Sequence, residues 1–158
     1  MTKPIRVLFV CLGNICRSAV AEGALRHRVE SAGLSEYFEI ESAGTGHWHV
    51  GDAPDTRSVQ SARDHGVDIS AQRARQFIRS DLNRFNYIFA MDESNLRNIN
   101  AMNRGESEAF IGLFLDESEG DEREVPDPYY GGGFDYVWNL VDDACENYLE
   151  RMRREHGL

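Results

Sequence analysis

Two side chains six positions apart, Cys11 and Arg17, bracket the stretch of this 158-residue chain with the most chemical potential. The stretch runs Cys11-Leu12-Gly13-Asn14-Ile15-Cys16-Arg17-Ser18, after the aliphatic, β-branched run Ile5 to Val10 and before a helical stripe of small and apolar residues. A cysteine that ends a strand in an open α/β sheet sits where such sheets bind ligands. Successive backbone amides from Leu12 to Arg17 can curl around one tetrahedral oxyanion, and the helix start adds the positive end of its dipole. Arg17 can grip two phosphate oxygens with its planar fork. Cys11 then lies beneath the phosphorus, its thiolate stabilised by the dipole, by Arg17 and by the Ser18 hydroxyl. Such a thiolate can displace an alkoxide or phenoxide from a phosphomonoester and form a cysteinyl-phosphate that water hydrolyses. A cysteine and an arginine at this spacing occur often by chance. The setting between strand and helix singles this pair out, with Gly13 permitting a tight loop and Asn14 able to hold a left-handed turn.

The elements around this loop alternate. Ile5 to Val10 predicts a strand, and Val20, Ala21, Ala24, Leu25, Val29 and Ala32 predict a helix that Gly33 stops. Tyr37 to Ser42 alternates as a second strand before the turn Ala43-Gly44-Thr45-Gly46. Pro54 to His65 predicts a helix with Asp52 or Ala53 near its cap, and Gln72 to Ile78 a short helical segment. Tyr87 to Met91 and Phe110 to Leu115 predict two further strands flanking a helix from Glu93 to Asn103 that ends before Gly105. Phe134, Val137, Val141, Ala144, Cys145, Tyr148 and Met152 form one stripe of a long C-terminal helix, with Arg151, Arg153 and Arg154 near its end, as the helix dipole prefers. The expected architecture is a single α/β domain over residues 1–158. Its four-stranded parallel sheet has helices on both faces and the flavodoxin-like order 2-1-3-4.

The formal net charge is -10, which argues against nucleic acid or an anionic membrane as partner. The charge is uneven: net +1 over residues 1–79 and -11 over residues 80–158, so an anion site is expected in the first half. Asp116 to Glu124 holds six acids, one arginine and no apolar residue, and predicts a solvated loop. The longest apolar run, Val7 to Leu12, is too short for a membrane span, no signal-peptide pattern opens the chain, and a cytoplasmic location is expected. Three cysteines without a CxxC pair make neither a disulfide framework nor a zinc site.

At this depth the chain resembles the low-molecular-weight protein tyrosine phosphatase family over essentially its whole length. Val10 to Glu22 resembles the family's phosphate loop, and Val125-Pro126-Asp127-Pro128-Tyr129-Tyr130-Gly131 its general-acid loop. Ser42-Ala43-Gly44-Thr45, Trp48 and Ala74-Arg75-Gln76 are matching landmarks between them. The resemblance implies hydrolysis of phosphotyrosine in proteins and of small aryl phosphates. Cys11 is then the nucleophile, Arg17 the phosphate ligand and transition-state stabiliser, and Asp127 the general acid and base, with no metal and no cofactor. Protonating a phenolate, whose conjugate acid has a pKa near ~10, is work suited to a carboxylic acid. Leu12 to Ser18 form the phosphate-binding loop, supported by Asn14, Ser18, Ser42 and Gln72. Many members carry histidine where this chain has Gln72; glutamine can still bond Asn14 or its neighbours but cannot become charged, so pH dependence near neutrality is expected to differ.

Other positions keep two readings. Cys16 is either a small loop-packing residue or, as the family implies, the partner of Cys11 in a reversible disulfide that protects the nucleophile. Leu12, Trp48, Tyr129 and Tyr130 are either ordinary surface side chains or the wall of an aryl-binding pocket. Tyrosine-phosphorylated proteins are the implied partners, phosphate and other oxyanions the implied product or inhibitors, and a cognate tyrosine kinase acting on Tyr129 or Tyr130 a further possibility. His47 and His49 are a weak metal pair, and Arg73, Arg75, Arg79 and Arg84 either steer substrates or form a solvated basic face. Two rival activities share the loop. Protein arginine phosphatases resemble it but place threonine where this chain has Ile15. Thioredoxin-coupled arsenate reductases need further cysteines in mid-chain, and none lies between Cys16 and Cys145.

Overall fold

A computed structural model describes residues 3–118 and 120–158. Four parallel strands, β1 (Ile5–Cys11), β2 (Phe38–Gly44), β3 (Tyr87–Ala90) and β4 (Phe110–Leu113), form one sheet in the order β2-β1-β3-β4. The sequence order 2-1-3-4 is thereby met. The central strand β1 is apolar on both sides because both its faces are covered. Val7, Phe9 and Cys11 join the core beneath α1 (Arg17–Ser31), α2 (Thr56–Asp64) and α6 (Phe134–His156). Leu8 and Val10 join the opposite core with Leu82 of α3 (Asp81–Arg84) and Ile99 of α4 (Glu93–Met102). Strand order reverses beside β1, so the loops leaving β1 and β3 meet in the crevice where a doubly wound sheet takes its ligand. Among the described residues, no helix is long and apolar enough to cross a membrane.

Three expectations about the elements need correction. Gln72 to Ile78 is not helical: Gly44 N donates to Arg75 O at 2.8 Å, Phe77 N donates to Gly44 O at 2.7 Å, and Gln76 bridges Gly44 in parallel. The spacing of the buried Ala74 and Phe77 mimics a helix face, but pairing with the open edge of β2 satisfies the same backbone groups. α2 begins later than expected, with Asp55 rather than Asp52 or Ala53 as its cap; Asp55 Oδ1 accepts from Arg57 N at 2.9 Å, and Pro54 lies before the cap. The last two strands end early, at Ala90 and Leu113, although Met91, Phe114 and Leu115 remain buried beyond the ladder. The short helices α3 and α5 (Pro128–Gly131) carry no sequence signal strong enough to predict them. The segment 116–124 is an exposed loop, Glu119 lying outside the described residues, and it is anchored by Glu117 to Arg151 and by Glu124 to Glu93 N.

Candidate active site

The loop after β1 is held by its carbonyls. Cys11 O accepts from Thr45 N, Leu12 O from Gly46 N, Ile15 O from Asp55 N and Cys16 O from Val20 N, all at 2.8 to 3.0 Å. In a planar trans peptide the carbonyl and the following amide point opposite ways, so the amides of Leu12, Gly13, Cys16 and Arg17 face away from those partners. Helix α1 begins at Arg17 with no side-chain cap and no acid in its first turn, which leaves its first amides available to an anion. Asn14 has φ 58°, the left-handed turn its residue type allows. Its amide donates to Cys11 Sγ at 3.3 Å, so this one of the six loop amides serves the sulfur. Gly44 makes the close approach possible, since a Cβ there would stand 2.7 Å from Leu12 O.

A chain of hydrogen bonds with a forced direction runs to the thiol. Glu22 Oε1 accepts from Ser42 Oγ at 2.7 Å, so the Ser42 hydroxyl is spent as a donor. Asn14 Nδ2 therefore donates to Ser42 at 2.9 Å and also to Ser18 Oγ at 2.8 Å, while Asn14 Oδ1 accepts from Arg75 N at 3.0 Å and fixes the amide orientation. Ser18 Oγ lies 3.0 Å from Cys11 Sγ, and with its lone pair engaged by Asn14 its own proton is free to point at sulfur.

Arg17 is buried, and its Nη1 is tied to Asp92 Oδ2 at 2.7 Å and to Val125 O at 3.1 Å. Its Nη2 stands 3.6 Å from Asp127 Oδ2. Burial disfavours the charged guanidinium, but Cys11, Asp92 and Asp127 outweigh it and raise the Arg17 pKa. Cys11, Leu12, Gly13, Ile15, Cys16 and Arg17 floor a cavity of about 350 Å³ whose rim is Trp48, His49, Asp127, Tyr129 and Tyr130. Trp48 and Tyr130 are 67% and 93% exposed, the Trp48 ring stacked on His47 and the Tyr130 ring edge-on to Tyr129.

The family model described as low molecular weight phosphotyrosine protein phosphatase matches residues 6–157. The chain belongs to this family. It is 48% identical over 156 residues to the low molecular weight phosphotyrosine protein phosphatase of Schizosaccharomyces pombe, covering 96% of this chain and 99% of that protein. The crystal structure of YfkJ from Bacillus subtilis has the same fold, with a TM-score of 0.94 at 38% identity over 98% of both chains. The structure of DARP, a Drosophila arginine phosphatase, gives 0.86 at 32% identity over 94% of this chain and 98% of that one. The protein is accordingly a hydrolase, a protein-tyrosine phosphatase by family.

In this phosphatase Gln72 does not reach Asn14. Its Nε2 donates to Ala19 O of α1 at 3.0 Å, and its buried Oε1 has no partner among the described residues, so Gln72 braces the helix rather than the loop. His49 pairs with Asp52 at 3.1 Å on the pocket rim. Arg75 and Arg84 are engaged by Asp81 and Glu41. Cys16 is a buried free thiol whose pKa is pushed up to about 12, chiefly by burial. Sequence reasoning gave Glu22 and Asp92 no role and read His49 as half of a weak metal pair rather than as part of the pocket rim. Only Asp92 had a signal, since Asp92 and Asn95 form a capping box at the start of α4.

Proposed function

We propose that this phosphatase hydrolyses phosphotyrosine in proteins, and small aryl phosphates, by two in-line displacements at phosphorus. Arg17 and the loop amides bind the phosphoryl oxygens. Cys11 Sγ attacks phosphorus, the S–P bond forms as the P–O bond breaks, and protonated Asp127 gives its proton to the departing phenolate oxygen. Asp127, now a carboxylate, takes a proton from water; the hydroxide attacks phosphorus, the S–P bond breaks, and inorganic phosphate leaves with the thiolate restored. The observation that carries this reading is the convergence on one cavity of Cys11 at its floor, the pinned Arg17 beside it and Asp127 3.6 Å from Arg17 at the rim.

The test is turnover of p-nitrophenyl phosphate with chelator present. Cys11→Ser is expected to lose at least ~10⁴-fold and Asp127→Ala about 10²-fold or more. Activity that survives Cys11→Ser, or that depends on added metal, overturns the mechanism. Ile15, buried on the pocket floor, and the rim aromatics favour an aryl phosphate over the phosphoarginine named for the Drosophila relative; relative rates on the two phosphoamino acids decide between them. The same reading assigns Tyr130 as the accessible acceptor for a tyrosine kinase, a cytoplasmic setting for three unpaired thiols, and Cys16 as the thiol that condenses with a peroxide-oxidised Cys11, releasing water.

A further inference from the structure

Although Pro128 after it is buried and Tyr129 packs against Ile15, Cys16 and Ala74, Asp127 itself is held by little. Its Oδ1 accepts from Tyr129 N at 3.1 Å, which only fixes the start of the four-residue α5, and its Oδ2 lies beyond hydrogen-bond distance of Arg17. Behind it come Gly131, Gly132 and Gly133, the last two at φ 82° and 85°, a run with a large conformational entropy to lose. The front of the segment is fixed to the site, because Val125 N donates to Met91 O at 2.8 Å and Val125 O accepts from Arg17. The rear is fixed by a residue from α2. Arg57 Nη2 donates to Tyr129 O at 3.0 Å, two positions after Asp127, and its guanidinium lies over the rings of Phe134 at 4.6 Å and Tyr129 at 5.7 Å.

The other end of this clasp leads back to the phosphate loop. Arg57 Nε and Nη2 are gripped by both oxygens of Asp55 at 3.0 and 2.9 Å, and Asp55 N donates to Ile15 O at 2.8 Å. A bidentate carboxylate partner and two rings leave the arginine fork little freedom, so the carbonyl of Tyr129 is held at a set distance from the loop beneath Cys11. We propose that Arg57 is a positioning residue for the proton transfer, a strut from Ile15 through Asp55 to Tyr129 that sets where the Asp127 carboxyl meets the leaving oxygen. The inference rests on Asp127 as general acid, and it adds that the donor's placement is determined by a side chain outside the pocket.

A general acid matters most when the leaving group is poor, so displaced proton transfer has a signature that simple destabilisation lacks. In Arg57→Ala, kcat/KM on phenyl phosphate is expected to fall about 10-fold and on p-nitrophenyl phosphate less than about 2-fold, the cost of an ångström-scale misplacement of one group. Arg57→Lys, which keeps the charge and the fold but cannot grip Asp55 and Tyr129 together, is expected to lose about half as much on a logarithmic scale. Combining Arg57→Ala with Asp127→Asn should add no further loss on phenyl phosphate. Equal losses on the two substrates, or an additive double variant, overturn the role of Arg57. An Asp127→Asn variant that shows no leaving-group dependence overturns the general-acid reading itself. Should Arg57→Ala fail to fold, the Arg57→Lys pair of substrates decides.

Discussion

In the phosphate loop Cys11, Asn14, Arg17 and Ser18 are at most 3% exposed, whereas in the acid loop the Asp127 side chain is 42% exposed and Tyr130 93%. The first loop is tied by carbonyls, side-chain amides and an ion pair to β2, α2 and the start of α4. The second touches the body at Val125 and Tyr129 and ends in glycines. In the proposed mechanism both serve the same phosphorus, but their tasks differ. Binding a dianion needs donors already aimed, with no reorganisation left for the reaction to supply. A proton donor must meet a leaving group that departs as a whole peptide, so it belongs on a segment that can clear the rim.

That contrast can be broken at its rigid side first. Arg17→Lys keeps a charge but neither the fork nor the simultaneous grip of Asp92, Val125 O and phosphate; kcat is expected to fall by about 10³-fold with the pH profile unchanged in shape, measured on p-nitrophenyl phosphate. Asn14→Ala removes three hydrogen bonds and places alanine at φ 58°. It is expected to destabilise the protein by about 2–4 kcal/mol and lower Tm by roughly 5–12 °C, read by calorimetry, while an equivalent change in the exposed acid loop, Tyr130→Ala, leaves Tm within about 1 °C. The smallest effect concerns the thiols. Unfolded Cys16 ionises near its ordinary value of 9.0 and folded Cys16 at about 12, so the unfolded state sheds its proton first. The stability gained from keeping the thiol neutral is complete below pH 9 and declines from there towards pH 12. Peptide mapping after iodoacetamide at pH 7.5 should find Cys11 alkylated, and Cys16 and Cys145 alkylated only in denaturant.

The sheet order and the placement of Cys11, Arg17 and Asp127 around one cavity were legible because strand and helix periodicities are local and two motifs flank them. Gln72 to Ile78 was misread because its partner is Gly44, more than thirty residues from the Arg75 to Phe77 stretch that pairs with it, and a three-residue spacing of apolar side chains does not tell a helix from an edge segment. Glu22 and Asp92 escaped for another reason. Each is one carboxylate among many in a chain of net charge -10, and only the fold reveals that one turns a chain of hydroxyls towards sulfur and the other pins an arginine. Of the side chains around the cavity, Cys11 and Arg17 come from the electropositive half, yet the acids that orient Arg17 and flank it, Asp92 and Asp127, come from the other half.

The double anchoring of Arg17 Nη1 carries a consequence for the thermodynamics of ligand capture. A free arginine side chain holds about 2 kcal/mol of rotamer entropy, and in an open site an incoming phosphate must freeze it. Here Asp92 and the Val125 carbonyl have frozen it during folding. Under the proposed function, inorganic phosphate would meet a receptor whose ordering is already complete, and a calorimetric titration should show an entropy of binding governed by released water rather than by side chains brought to rest.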